Sequence, residues 1–232
     1  WYCYYNFKNS MELVTADGGF DFSIDFNKQE GLSLKLIFAQ IVYAIALQKK
    51  NGVFILKIFD IFTKATIDLI YLLSSLYNKC YIVKPCTSRI ANSEKYLVCK
   101  GFKLNDTFKL VNKLSKILSQ INDNPDNPDS QDSQDSQDSQ DNQDNQDNQE
   151  IESFLNIKIP YLYFNKIEDI NAILGQQQLE NILSTLNLLD NCKNDKLDAI
   201  KKNNIQKCIQ WCVKNKMPYY KNINCLNMFI PT

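Results

Sequence analysis

Residues 122–149 divide this chain. They run as Asn-Pro-Asp repeats and then as Ser-Gln-Asp and Asn-Gln-Asp triplets, with nine Asp, no Lys or Arg and no hydrophobic residue. A tract with nothing to bury cannot offset the entropy of ordering its backbone, so a disordered acidic insert is expected here. Any fold must then come from two pieces, residues 1–121 and residues 150–232. A passive spacer expanded by replication slippage accounts for the tract better than mimicry of a nucleic acid does. The tract also masks charge. The whole chain is formally neutral, with 26 basic and 26 acidic residues. Outside the tract 26 basic residues face 17 acidic ones, a net +9, and residues 1–121 hold 16 against 9, a net +7. That balance suits a polyanion such as RNA, and it suits a generic lysine-rich surface equally well.

The 232 residues include no histidine. Ser-His-Asp and Cys-His mechanisms are therefore closed to this chain. Proton transfer falls to Lys, Asp, Glu, Tyr or Cys. The eight cysteines follow no framework. Cys208 and Cys212 could share a helix face, but there is no C-x-x-C pair. The expectation is reduced thiols, no metal site and an intracellular protein, nuclear or cytoplasmic. Leu32–Leu47 is apolar yet short, and Lys35 and Gln40 interrupt it, so it reads as a buried amphipathic helix and not as a membrane span. The start, Trp1-Tyr2-Cys3-Tyr4-Tyr5, has neither the charged nor the apolar region of a signal peptide, and no initiator Met. Lost upstream sequence is the expectation. The Asn-, Lys- and Ile-rich composition fits an AT-rich genome, as in a large DNA virus or a protist. Oligomeric state is not set by the sequence.

Along residues 1–121 short apolar runs alternate with helical spacing. Met11–Ala16 is a strand ending at a tight turn, Asp17-Gly18-Gly19. Gly31 precedes a helix over Leu32–Lys49. Asn51-Gly52 signals a turn. Val53–Phe59 is apolar almost throughout, as in a strand covered on both faces. Thr63 caps a helix reaching Leu76. Lys79–Val83 is a strand stopped by Pro85, Tyr96–Cys99 begins another, and Asn105 or Asp106 caps a helix to Gln120. The alternation predicts a parallel, doubly wound α/β sheet, and the strand-after-strand step predicts an antiparallel addition at its edge. This is the pattern of the second half of a Rossmann-like domain. In residues 150–232, Ile157–Phe164 reads as a short strand or extended segment, and Ile167–Leu189 and Lys196–Lys214 as helices. This mainly helical extension is expected to pack on the first piece, with Tyr219, Tyr220 and Phe229 as core aromatics.

Three islands carry polar residues at strand ends, where ligands bind in open α/β sheets. They are Ala16–Phe20, Phe54–Asp60, and Lys84–Arg89 running into Ala91–Tyr96. Asp17, Lys57 and Glu94 each follow a different strand and can converge. Two carboxylates holding a desolvated lysine could activate a hydroxyl. Each residue also has a plainer role open to it. Asp17 could form the turn, Lys57 could snorkel from a strand end, and Glu94 could cap a turn. Arg89 could be a surface charge or an RNA-phosphate clamp beside Ser88. Asp60 could orient the loop or, slightly favoured, cap the helix at Thr63.

The wording of the islands, A-D-G-G-F, then L-K-I-F-D-I-F-T, then K-P-C-T-S-R-I-A-N-S-E-K-Y-L-V-C-K-G, resembles the FtsJ-like (RrmJ-type) ribose 2′-O-methyltransferases. The branch acting on the first transcribed nucleotides of capped mRNA is the best match. Leu69–Leu73 is similar to the family's intervening helix, Gln206–Pro218 faintly to its last one, and the likeness spans roughly residues 11–103. The resemblance implies an S-adenosylmethionine-dependent methyltransferase sheet. Asp17, Lys57 and Glu94 would be the last three members of a Lys-Asp-Lys-Glu tetrad. Asp17 and Gly18 would border the methyl donor, Arg89, Ser88 and Lys84 would meet RNA, and no metal would be required. The tetrad's first lysine and the glycine-rich donor loop have no match, since Lys8 lies just before the first strand. The resemblance therefore implies the C-terminal part of such a domain, one that could be inactive alone. Methylation of ribosomal or transfer RNA, and a non-catalytic RNA-binding fragment, are the rival readings.

Overall fold

The structure is a computed structural model that describes residues 1–19, 29–86, 88–122, 151–190 and 194–219. The insert from residue 123 onwards, together with Phe20, Thr87, Cys192, Tyr220, Cys225 and Phe229, lies outside the described residues. Four strands form one sheet: β1 (Met11–Ala16), β2 (Gln48–Ile58), β3 (Tyr77–Val83) and β4 (Lys95–Phe102), in the order β1-β2-β4-β3. β1 and β2 run parallel, and β4 runs antiparallel to both its neighbours. The antiparallel strand is therefore inserted between β2 and β3, which corrects its expected place at the edge. Local periodicity identifies a strand, but it does not say which neighbour the strand pairs with.

The mixed α/β character follows the alternation. α2 (Gln29–Leu47) joins the two parallel strands, and α3 (Lys64–Leu76) crosses from β2 to β3. α2 has the length and apolarity of a membrane span. Here it is a core helix: Phe38, Ile41 and Ile45 share one buried cluster with Phe54, Leu56, Ile58 and Leu97. Full burial of each such side chain stabilises the fold by about 1.5–3 kcal/mol. β2 shows the consequence of period-two alternation. Phe54, Leu56 and Ile58 are buried, whereas Val53, Ile55 and Lys57 are half-buried. Asn51-Gly52 makes no hairpin turn. It sits inside β2, with Asn51 at φ 66°.

Thr63 caps α3 as its sequence suggests, accepting from the Thr66 N–H at 3.3 Å. The carboxylate behind that cap is Glu30, which accepts from Phe62 N at 3.1 Å, Thr63 N at 2.9 Å and Thr63 Oγ1 at 2.8 Å. Asp60, favoured from sequence for this role, lies instead 3.5 Å from Lys95 Nζ. Asp106 starts α4 (Phe108–Asn122) by accepting from Phe108 N at 3.0 Å. A six-residue α1 (Tyr2–Phe7) precedes β1.

Beyond the insert, residues 151–155 fasten onto α3. Asp68, fully buried, accepts from Lys64 Nζ at 2.9 Å, Ser153 Oγ at 2.6 Å, Phe154 N at 3.0 Å and Leu155 N at 3.1 Å. The Phe154 ring lies 4.6 Å from that of Phe38. Ile157–Ile159 is irregular, and a helix, α5 (Tyr161–Asp190), begins where an extended run through Phe164 was expected. The first compact unit runs from Trp1 to Gln178, so it closes within α5 and not at residue 150. The second unit, from Leu179, contains the end of α5 and α6 (Asn194–Lys214), with Cys212 buried.

Candidate active site

The site grows from the parallel pairing of β1 and β2. Ala16 stands opposite Leu56, so the next residue of each strand emerges at the same sheet end. Those residues are Asp17 and Lys57. The Lys57 ammonium forms an ion pair with Asp17 Oδ1 and donates to the Asp17 carbonyl at 3.3 Å. The lysine side chain is 18% exposed and the aspartate 68%. Lys57 thus turns to a specific partner, not simply outward to water. Gly19 adds no side chain beside it; a Cβ there would sit 3.6 Å from Lys57 Nζ.

β4 brings the second carboxylate. Its Tyr96 pairs directly with Lys57 across the antiparallel ladder, and Glu94 lies two residues earlier on the same face. The Tyr96 hydroxyl donates to Glu94 Oε1 at 2.9 Å, and Asn92 Nδ2 donates to Glu94 Oε2 at 3.4 Å. Burial pushes the Tyr96 phenol up to about 12, helped by its hydrogen bond to Glu94 and by the Glu94 and Asp17 charges. Both carboxylates therefore act on the same hydroxyl, which stays protonated at neutral pH. Asp17 and Lys57 touch each other, and Glu94 accepts from Tyr96, the cross-strand neighbour of Lys57. Sequence reasoning missed Tyr96 and Asn92. The available signal was period-two alternation from Glu94, which places Tyr96 beside it.

The remaining expected residues divide. Arg89 is exposed. Ser88 is half-buried, its amide donating to the Pro85 carbonyl at 3.0 Å, with its Oγ buried. Lys84 is turned inward, donating to Asn92 O and Glu94 O, both at 2.7 Å, and to Asn92 Oδ1 at 2.5 Å. That geometry is a loop clamp and departs from the expected phosphate contact. Gly18 is likewise occupied within the fold. Its amide donates to Gln40 Oε1 at 3.2 Å, and an added Cβ would meet Gln40 Nε2 at 2.9 Å. Close packing against α2 explains that glycine, and Gly19 is the one beside Lys57.

Residues 4–102 match the family described as FtsJ-like methyltransferase. Three proteins titled cap-specific mRNA (nucleoside-2′-O-)-methyltransferase 1 are similar over the same region. The one from Trypanosoma cruzi is 45% identical over 96 residues, 41% of this chain and 26% of its own. The Trypanosoma brucei brucei protein is 42% identical over 43% of this chain and 27% of its own. The Homo sapiens protein is 41% identical over 42% and 12%. The chain thus matches about a quarter or less of these relatives' length. A crystal structure of a Plasmodium falciparum ribosomal RNA methyltransferase overlaps 42% of this chain and 49% of its own at a TM-score of 0.33 and 20% identity, too loosely to bear on substrate.

Proposed function

We propose that residues 4–102, an FtsJ-like methyltransferase segment, form the hydroxyl-activating side of an S-adenosylmethionine-dependent ribose 2′-O-methyltransferase that acts near the 5′ end of capped mRNA. The observation that carries this reading is the Asp17–Lys57 ion pair at a strand end, with Tyr96 opposite Lys57 in the sheet and its hydroxyl donating to Glu94. The donor, when bound, supplies a methyl group on a positively charged sulfur. The exposed Asp17 carboxylate beside Lys57 is where this reading sets the donor and the ribose.

A ribose hydroxyl is a weak nucleophile until its proton is drawn away. Acting as base, Lys57 would react as the neutral amine: it takes the hydroxyl proton as the oxygen–methyl bond forms and the methyl–sulfur bond breaks, and Asp17 holds and balances the ammonium that results. Glu94, aimed by Tyr96 and Asn92, fixes the opposite side of the same pocket. Holding the reacting oxygen in line contributes much of the rate. Arg89, exposed on the β3–β4 connection, is the side chain this reading assigns to an RNA phosphate. The names of the similar proteins support a capped mRNA substrate.

The test is methyl transfer to capped and uncapped RNA by the full-length protein. Lys57→Ala should lower turnover about 10²- to 10⁴-fold, as loss of a general base does. Unchanged turnover in that variant would sink the assignment. Equal rates on uncapped ribosomal or transfer RNA would move the substrate to those classes.

A further inference from the structure

The connection from β3 to β4 carries Glu94 yet has no ladder of its own. Its backbone acceptors are met by two lysines. Lys84 Nζ takes the carbonyls of Asn92 and Glu94, both at 2.7 Å, and Asn92 Oδ1. Lys95 Nζ takes the carbonyl between them, that of Ser93, at 2.9 Å, and also the Phe59 carbonyl at the end of β2, at 2.9 Å. Three successive carbonyls are thus gripped alternately by two ammonium groups. The three acceptors of Lys84 match the three protons an ammonium can give. Burial lowers the Lys84 pKa, with the Glu94 charge opposing that shift, and Lys95 is lowered for the same first reason. A half-buried cation such as Lys84, and still more a buried one such as Lys95, is costly unless it is well hydrogen-bonded, as both are.

We propose that Lys84 is a positioning residue: by clamping Asn92 and Glu94 it sets the direction of the Glu94 carboxylate towards the hydroxyl of Tyr96, the ladder partner of Lys57. The inference rests on the methyl-transfer reading of that site. It assigns Lys84 to the chemistry of the site and removes it from the RNA-gripping surface. The two assignments differ in what each would change. A lysine holding a phosphate contributes to RNA affinity and to its salt dependence, about 0.7 in the slope of log K against log salt for a single strand. A lysine that aims Glu94 contributes to turnover.

The experiment compares full-length protein with Lys84→Met, Lys84→Arg, Glu94→Gln and Lys84→Met/Glu94→Gln, using a capped RNA substrate. Lys84→Met should lower kcat about 10- to 100-fold, the effect of losing hydrogen bonds from a charged group. KM for RNA and the salt slope of RNA binding should stay at wild-type values. Lys84→Arg should recover part of the loss, since a guanidinium also donates but in a fixed fork. The double variant should be no slower than Glu94→Gln alone, because a residue acting through another adds nothing once that partner is gone. Raised KM with a shallower salt slope, or additive losses in the double variant, overturns the proposal. Should Lys84→Met fail to fold by circular dichroism, Asn92→Ala, which removes one of the clamp's acceptors, carries the same comparison. Wild-type protein that methylates no 2′-hydroxyl, or Glu94→Gln at full rate, overturns the site reading itself, and is told apart because no Lys84 variant is involved.

Discussion

Asp17 and Asp68 are both aspartates paired with a lysine, and their surroundings differ in every other respect. Asp68 is sealed on the outer side of α3, where one lysine, one serine and two backbone amides converge on it. Asp17 stands just past the end of β1, 68% exposed, and pairs with Lys57. The first carboxylate has spent its hydrogen-bonding capacity on architecture. The second is exposed, and an exposed carboxylate beside a lysine is one that can act on a ligand. Burial of the carboxylate thus separates the region that holds residues 151–155 to the domain from the region proposed for the chemistry.

The sharpest way to break that contrast is Asp68→Ala. It leaves Ser153 and the half-buried amides of Phe154 and Leu155 without their acceptor, while the exposed Lys64 keeps other partners, and should cost about 1–3 kcal/mol by urea unfolding. Asp17→Ala should cost under about 1 kcal/mol, as for an exposed pair. Equal costs for the two would erase the distinction. Acid should sharpen it next. Burial pushes the Asp68 carboxyl up, but hydrogen bonds from Ser153, Lys64, Leu155 and Phe154 outweigh burial and hold it below the ordinary range. A carboxyl with a lowered folded pKa contributes stability that is complete above its unfolded value, about 4, and is lost as pH falls through the folded value. Wild-type stability should therefore drop below about pH 4 more steeply than that of Asp68→Asn, and superimposable pH curves would clear Asp68 of this role. The smallest effect is expected at Tyr96→Phe. Removing one hydroxyl from Glu94 should lower kcat about tenfold while moving stability by no more than about 1 kcal/mol. A larger loss of stability than of rate would place Tyr96 with the Asp68 kind of site.

Much of this was legible in the sequence because the signals were local. Each strand run ended at a turn or proline, Thr63 announced the start of α3, and the islands around Asp17, Lys57 and Glu94 stood at strand ends. The unreadable parts depend on partners far along the chain. Glu30 reaches Phe62 across 32 residues, which no local cap signal encodes. The placement of β4 between β2 and β3 is a choice of neighbour, and Lys84 reads as a surface cation until the fold folds Asn92 and Glu94 over it. The misread segment before Phe164 has another cause. Its isoleucines and aromatics favour strands, yet Pro160 opens a helix there, its carbonyl accepting from Tyr163 N at 2.9 Å.

The irregularity within β2 has a bearing on all of this. Between the pairs Met11–Gln48 and Leu13–Val53, β1 advances by two residues while β2 advances by five. The excess of three is odd, so it works like a shift of reading frame: side chains beyond it change face. Phe54, Leu56 and Ile58 are thereby in phase with the helices, and Lys57 is in phase with Asp17. A chain shortened by one residue between 49 and 52 would have to put its lysine into the core and its phenylalanine into water, or give up the pairing with β1. Evolution can therefore vary the length of that stretch only in steps of two, and the chemistry of Lys57 is held in register by residues that never approach it.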